Sequence, residues 1–144
     1  MIRPFVHGDI AHVTRLLQEN LQEAPLLRGE SLDMAMVVNT LFHPMSAGWL
    51  SFGDDGELRG GIFVHETPSF FGRRVLQDLF LYVRKPFRNG VLAYKLIKIA
   101  ERYGQTIGCA RITLSDSTRI HGAATLYTRM GYRLTASSHS RELL

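Results

Sequence analysis

The sequence predicts an α/β layer protein, and three observations carry that reading. Apolar residues recur at helical spacing early in the chain, as Ile10, Val13, Leu16, Leu17 and Leu21. The middle switches to short strand-like runs divided by turn signals, of which Val75–Val83 is nearly all apolar or aromatic. A helical period returns straight after that run, from about Gly90 to Tyr103, so strand and helix alternate as in layered α/β folds.

Taken in order, residues 2–6 suit a short edge strand. Asp9 is placed to cap a helix carrying the Ile10–Leu21 stripe, which Pro25 interrupts. Ser31 suits the cap of a second helix with Met34, Val37, Val38 and Leu41, stopped by His43-Pro44. Trp49–Phe52 is a short apolar run, and Gly53-Asp54-Asp55-Gly56 is a turn signal. Residues 58–66 read as a strand in which Gly60-Gly61 marks a bulge or a close backbone approach. Thr67–Gly72 reads as a loop around Pro68, and Val75–Val83 as a central strand buried on both faces. Pro86 stops it. The next helix puts Leu92, Leu96, Ile99 and Tyr103 on one face, with Gly104 as its terminating glycine. Residues 109–114 suit another strand. Ser117 suits the cap of a last helix with Ala123, Leu126, Tyr127 and Met130, closed by Gly131. Tyr132–Leu134 and the tail after Ser138 suit final strands. The order is β-α-α-β-β-β-α-β-α-β, with room for one more strand.

The 144 residues show no repeat, Ser/Pro-rich linker or block of like charge, so the expectation is one domain spanning 1–144. Hydrophobic residues at 45% and charged residues at 21% exclude disordered and low-complexity classes. The single cysteine, Cys109, excludes a disulfide framework or a Cys-rich zinc site. The six histidines lack ligand spacing, so no metal is expected. No apolar run approaches the ~20 residues of a membrane span. Arg3, Pro4 and His7 come too early for a signal peptide, so a soluble cytoplasmic protein is expected. Seventeen Lys and Arg against thirteen Asp and Glu leave a formal charge of +4. That excess suits an anionic ligand but is too spread along the chain to argue for nucleic acid.

The stretch VRKPFRNGVLAYKL, residues 83–96, carries the most chemistry. A buried strand ends, a loop with Arg84, Lys85 and Arg88 follows, and a helix begins. A helix N-terminus presents unpaired N–H groups and about half a positive charge, which suits a phosphate or pyrophosphate. Asn89 and Gly90 can both reach positive φ, as a nest of convergent amides requires. An ordinary strand-to-helix turn with solvated cations has the same local chemistry.

This pattern resembles the acyl-CoA-binding motif of the GNAT superfamily, the acetyl-CoA-dependent N-acetyltransferases. That motif runs from a strand through Val-x-x-Pro-x-Arg into a turn written Arg/Gln-x-x-Gly-x-Gly/Ala. Here it reads Val83, Pro86, Arg88, Val91 and Ala93. Val91 departs from the preferred glycine, and Asn89 stands where glycine is also common. The opening IRPFVHGDIAHVTRLL is similar to the family's first strand and capped helix. TLYTRMGY, residues 125–132, looks like its late Leu-Tyr-x-Arg/Lys-x-Gly-Phe/Tyr signature, with Ala123 in keeping and Ile120 in place of a frequent Asn.

The resemblance implies a mixed, twisted sheet of about six to seven strands flanked by about four helices. It implies acetyl-CoA as co-substrate and a primary amine as acceptor, with direct transfer between them. Leu81, Tyr82 and Val83 would pair with the pantetheine arm like an added strand. The amides of Arg88, Asn89, Gly90, Val91, Leu92 and Ala93 would hold the pyrophosphate. Tyr127 matches the tyrosine beside the CoA sulfur, where a phenol can give the departing thiolate a proton; taken alone, it also reads as a core tyrosine of the last helix. Asp78, the only acid on Val75–Val83, is a candidate base, or else the ion-pair partner of Arg73, Arg74 or Arg111. Strand alternation sets Asp78 on the face of Leu76, Phe80 and Tyr82. Glu66 is the second candidate base. Acceptor choice would lie with residues 9–42 and the 67–72 loop. The alternative function is a catalytically inactive GNAT-like module acting through protein contacts. A nucleic-acid binder rests only on the pI near 9.6 and the 84–88 cations. A homodimer is left open.

Overall fold

The computed structural model describes residues 1–24, 27, 29–116 and 122–144. Its strands are β1 (Ile2–Pro4), β2 (Ser46–Phe52), β3 (Leu58–Pro68), β4 (Arg74–Val83) and β5 (Arg111–Thr113). Its helices are α1 (Ile10–Glu23), α2 (Met34–Leu41), α3 (Val91–Thr106) and α4 (Ala123–Arg129). The strands form one sheet in the order β1-β2-β3-β4-β5. All neighbours are antiparallel except β4 and β5, which run parallel.

Period-two alternation sends the strand side chains into two cores. On one face Leu50, Phe52, Phe63 and Tyr82 pack with Val13 and Leu16 of α1 and Leu41 of α2. On the other, Ile62, Val64, Leu76 and Val83 pack with Leu96, Ile97 and Ala100 of α3 and Tyr127 of α4. Each fully buried aliphatic side chain contributes about 1.5–3 kcal/mol of transfer free energy. Helices on both faces therefore fix the sheet, and with it the β4–α3 turn.

The described residues hold five strands, not six to seven. Tyr132–Leu134 and the tail after Ser138 are not strands. The reason lies at the end of α4. Gly131, at φ 89°, closes the helix with its N–H on Thr128 O and the Tyr132 N–H on Tyr127 O, the paired bonds of a Schellman cap. Tyr132 then turns its hydroxyl to Glu101 at 2.9 Å. The helix cap and α3 hold Tyr132, and no sheet neighbour takes it up.

Several local expectations shift for comparable reasons. Asp9 precedes α1 but caps no amide of it; its carboxylate takes two bonds from Arg3, at 2.7 and 2.8 Å, and the Val6 N–H. Asp33, not Ser31, caps α2, accepting from the Met36 N–H. β3 runs on through Pro68, so the hairpin loop is 69–73, closed by Ser69 on Arg73. Gly104 lies inside α3, where an added Cβ would come within 3.2 Å of Leu76, so it serves close packing. The buried stripe of α3 is Leu96, Ile97, Ala100 and Gly104, not the Ile99 line. β4 is covered on both faces only towards its end, and Gln77 and Leu79 are exposed. The expected breaks and caps at Pro25 and Ser117, and the Ile120 position, lie outside the described residues.

Gly60 is a close approach, as read. A Cβ there would fall 2.6 Å from the Tyr82 carbonyl oxygen and 3.1 Å from Val83 Cα. Backbone cannot swing aside as a side-chain tip can. Gly60→Ala is expected to lower stability by about 1–3 kcal/mol, the usual cost of overpacking. Urea unfolding checks this, and an unchanged midpoint contradicts it.

Candidate active site

β4 and β5 pair only at Val75↔Arg111, Leu76↔Ile112 and Gln77↔Thr113. Beyond Gln77 they part. On its other side β4 stays paired with β3 to Val83, with a bulge: Phe63 faces Phe80 but Val64 faces Asp78, so Leu79 is the extra residue. The bulge reverses the alternation. Asp78 thus shares the α3/α4 face with Leu76 and Val64, while Phe80 and Tyr82 belong to the α1/α2 face. This corrects the expectation that all four β4 residues share a face.

In the widening gap, Asp78 takes the place of a ladder bond. Its carboxylate accepts the Ser115 N–H at 3.0 Å and the Ser115 hydroxyl at 3.3 Å. The Ser115 carbonyl in turn accepts the Tyr127 hydroxyl at 3.1 Å. A strand, the segment after β5 and helix α4 so bring Asp78, Ser115 and Tyr127 into one hydrogen-bonded chain. Asp78 forms no ion pair among the described residues, because Arg74 goes to Glu66. Burial of the Asp78 carboxyl outweighs its bonds from Ser115 and pushes its pKa up to about 6. Burial, with Asp78 and Asp116 nearby, raises the Tyr127 hydroxyl too, so the phenol keeps its proton at neutral pH. Glu66 lies on β3, buried and clasped by Arg74.

Past Gln77, no described residue pairs with β4 on the side away from β3. Residues of an antiparallel pair alternate between bonding the partner and facing away from it. The Arg84 N–H donates to Arg59 O at 2.8 Å, so Tyr82 and Phe80 also bond β3. Leu81 and Val83 turn their backbone groups away from β3, to a side where no strand among the described residues pairs with them. Of the three residues expected to pair with an added strand, Tyr82 is therefore spent on β3. The Val83 carbonyl is taken as well, by Arg88 Nε at 2.7 Å.

The turn after β4 is held by side chains. Arg84 is buried and bonds Glu19, Glu57 and the Leu58 carbonyl. Arg88 bonds Glu23 at 2.5 Å and lies over the Tyr82 ring. Both guanidinia, expected to lend cationic side chains around a phosphate, are already engaged with protein carboxylates and carbonyls. Among the described residues, Lys85 forms no ion pair in this turn. Gly90, at φ 84°, is the left-handed residue before α3. Val91 is the first helical residue and half-exposed, so it needs no positive φ. Its N–H donates to Asn89 Oδ1 at 3.1 Å. The Leu92 and Ala93 amides follow in the first turn, where N–H groups lack intrahelical acceptors.

Sequence reasoning missed Ser115, Glu23 and the bulge. Ser115 follows a short strand and matches no pattern. Glu23 had a signal: Glu19 and Glu23 on one helix face match Arg84 and Arg88 at the same four-residue spacing.

The chain belongs to the acetyltransferase (GNAT) family, whose sequence model matches residues 14–132. Solved structures share the fold. An acetyltransferase of Trypanosoma brucei is 17% identical, with 99% of each chain covered and a TM-score of 0.77. An aminoglycoside acetyltransferase from an uncultured soil metagenomic sample is 19% identical, covering 100% of this chain and 98% of that one at a TM-score of 0.78. A ribosomal-protein-alanine N-acetyltransferase of Brucella melitensis is 18% identical, with 99% of each covered and a TM-score of 0.75. No curated protein sequence matches. No helix among the described residues is long and apolar enough to cross a membrane.

The raised Asp78 pKa gives a stability test. The fold favours the neutral acid, so this contribution is full below the ordinary carboxyl range and is lost as pH rises through about 6. Wild type is expected to lose stability relative to Asp78→Asn between about pH 4 and 7. Urea titrations at several pH values check it; a pH-independent difference contradicts it.

Proposed function

We propose that residues 1–144 act as one N-acetyltransferase domain, moving an acetyl group from acetyl-CoA to a primary amine. The single observation that carries this is the open β4 edge, which ends at the start of α3 and has the Asp78–Ser115–Tyr127 chain beside it. Family membership supplies the reaction class.

The residues present fit the donor. Leu81 offers an N–H and a carbonyl, and Val83 an N–H, to an extended pantetheine arm. Leu92 and Ala93 offer amides to the pyrophosphate, aided by the helix dipole and Lys85. Asn89 and Arg88 contribute through the turn they stabilise, and Gly90 through its left-handed bend. The Val91 amide joins only if the Asn89 side chain yields it. Acetyl-CoA supplies an activated thioester, and the chain supplies proton control.

Asp78, with a pKa near neutrality, is suited to take the proton of the attacking amine. The amine nitrogen bonds the acetyl carbon, the carbon–sulfur bond breaks, and Tyr127 gives its proton to the sulfur. At rest that proton lies on the Ser115 carbonyl, so the hydroxyl turns from it to reach the sulfur, while Ser115 also fixes the carboxylate. Glu66, locked to Arg74, is the weaker candidate base. The acceptor is a primary amine reached from the 9–42 and 69–73 segments, where Phe70 and Phe71 stand fully exposed.

A hundredfold excess of acetyl-CoA over its dissociation constant is expected to stabilise the fold by about 2.7 kcal/mol. A melting temperature unmoved at millimolar acetyl-CoA supports the inactive-module reading instead, for which the capped Val91 amide is the favouring observation. With an accepted amine in hand, Tyr127→Phe is expected to lower turnover about 10²-fold with little change in acetyl-CoA affinity. Asp78→Asn is expected to flatten the limb of the rate–pH profile near pH 6. Full activity in Tyr127→Phe assigns that ring to packing, and an unchanged limb in Asp78→Asn removes it as base.

A further inference from the structure

We infer that Glu23, at the end of α1, is a positioning residue of the donor site, acting through Arg88. The inference rests on the proposed reading of the open β4 edge and α3 start as the acetyl-CoA site.

One carboxylate ties α1 to two parts of that site, β4 and the turn after it. Glu23 Oε1 accepts the Tyr82 hydroxyl at 2.7 Å, and Oε2 accepts from Arg88 at 2.5 Å. Arg88 reaches on to the Val83 carbonyl at 2.7 Å and lies over the Tyr82 ring, 5.2 Å from its centroid. Arg88 is also the residue at which the turn leaves its 3-10 segment Lys85–Phe87, two residues before Gly90. The guanidinium is thereby fixed at both ends. Burial opposes ionisation of Glu23, but the bonds from Tyr82 and Arg88 prevail and hold its carboxyl below the ordinary range. One helical turn earlier, Glu19 holds Arg84 in the same way, helped by Glu57. Two rungs, four residues apart on each side, so tie α1 to the β4–α3 turn.

Two consequences follow for a ligand on the edge. Arg88 closes the edge at the Val83 carbonyl, leaving the Leu81 pair and the Val83 N–H, which sets the register of an added strand. It also holds the turn that aims the Leu92 and Ala93 amides, so their ordering is complete before binding. Glu23 carries no part of the chemistry. Its negative charge works against an anion nearby, so a purely electrostatic role and a positioning role predict opposite signs.

Acetyl-CoA affinity by calorimetry, turnover at saturating acetyl-CoA and thermal unfolding are measured for wild type, Glu23→Ala, Arg88→Ala, the double variant and Arg3→Ala. Arg3→Ala removes an ion pair at the other end of α1. Glu23→Ala is expected to weaken acetyl-CoA binding about tenfold, with turnover at saturation within about twofold. In the Arg88→Ala background, Glu23→Ala is expected to add nothing, the signature of one residue acting through another. Arg3→Ala is expected to lower the melting temperature and leave affinity alone. Tighter or equal binding in Glu23→Ala, independent effects in the double variant, or an equal loss in Arg3→Ala each overturns the inference. A wild type that binds no acetyl-CoA overturns the donor-site reading and this inference with it.

Discussion

The parting of β4 from β5 is the constraint on which the rest of the site depends. Parallel strands normally lie covered and fully paired. Here, among the described residues, pairing stops after Gln77↔Thr113, while a bulge at Leu79 shifts the register and the pairing with β3 continues. Leaving backbone groups unpaired in a covered sheet is costly. The chain meets part of that cost itself, through the Asp78 carboxylate on Ser115 and Arg88 on the Val83 carbonyl. The remaining groups are the ones an extended ligand can satisfy. The bulge also sets the chemistry, since without it Asp78 would point with the α1/α2 core and away from Tyr127.

Charge is distributed to the same end. The basic turn after β4 carries three cations, but two are committed to carboxylates of α1 and β3's flank before any anion arrives. In the proposed donor site, anion recognition falls to Lys85 and to backbone amides, whose positions are set by the fold and not by flexible side chains. This arrangement favours order over raw attraction. On that proposal it also makes α1 a mechanical part of the donor site.

Much of this was legible in the sequence. The α1 stripe, the Gly53–Gly56 turn, the Val75–Val83 strand and the helix after Pro86 appear close to their read positions, because each follows from local period and turn chemistry. The motif residues from Val83 to Ala93 located the β4–α3 turn. What local pattern does not encode is partner choice. Nothing near Asp9 shows that Arg3 and Val6 claim its carboxylate before the helix does. Nothing within Val75–Val83 marks Leu79 as a bulge, so the face of Asp78 was assigned by unbroken alternation. The partners of Arg84 and Arg88 were not legible because their carboxylates lie far off in the chain, 65 residues earlier for Glu19 and Glu23 and 27 for Glu57. The expected final strands failed on a similar point: Gly131 closed the helix as read, and the cap it forms holds Tyr132 away from the sheet.

The central claim is that the open β4 edge receives acetyl-CoA as an added strand. Amide hydrogen exchange at Leu81 and Val83 tests it most directly, residue by residue. With saturating acetyl-CoA, the Leu81 N–H, and with it the Val83 N–H, is predicted to exchange more slowly, while Tyr82, already bonded to β3, changes little. Equal protection of all three residues, or none at Leu81 despite demonstrable acetyl-CoA binding, would contradict the account and place the ligand elsewhere.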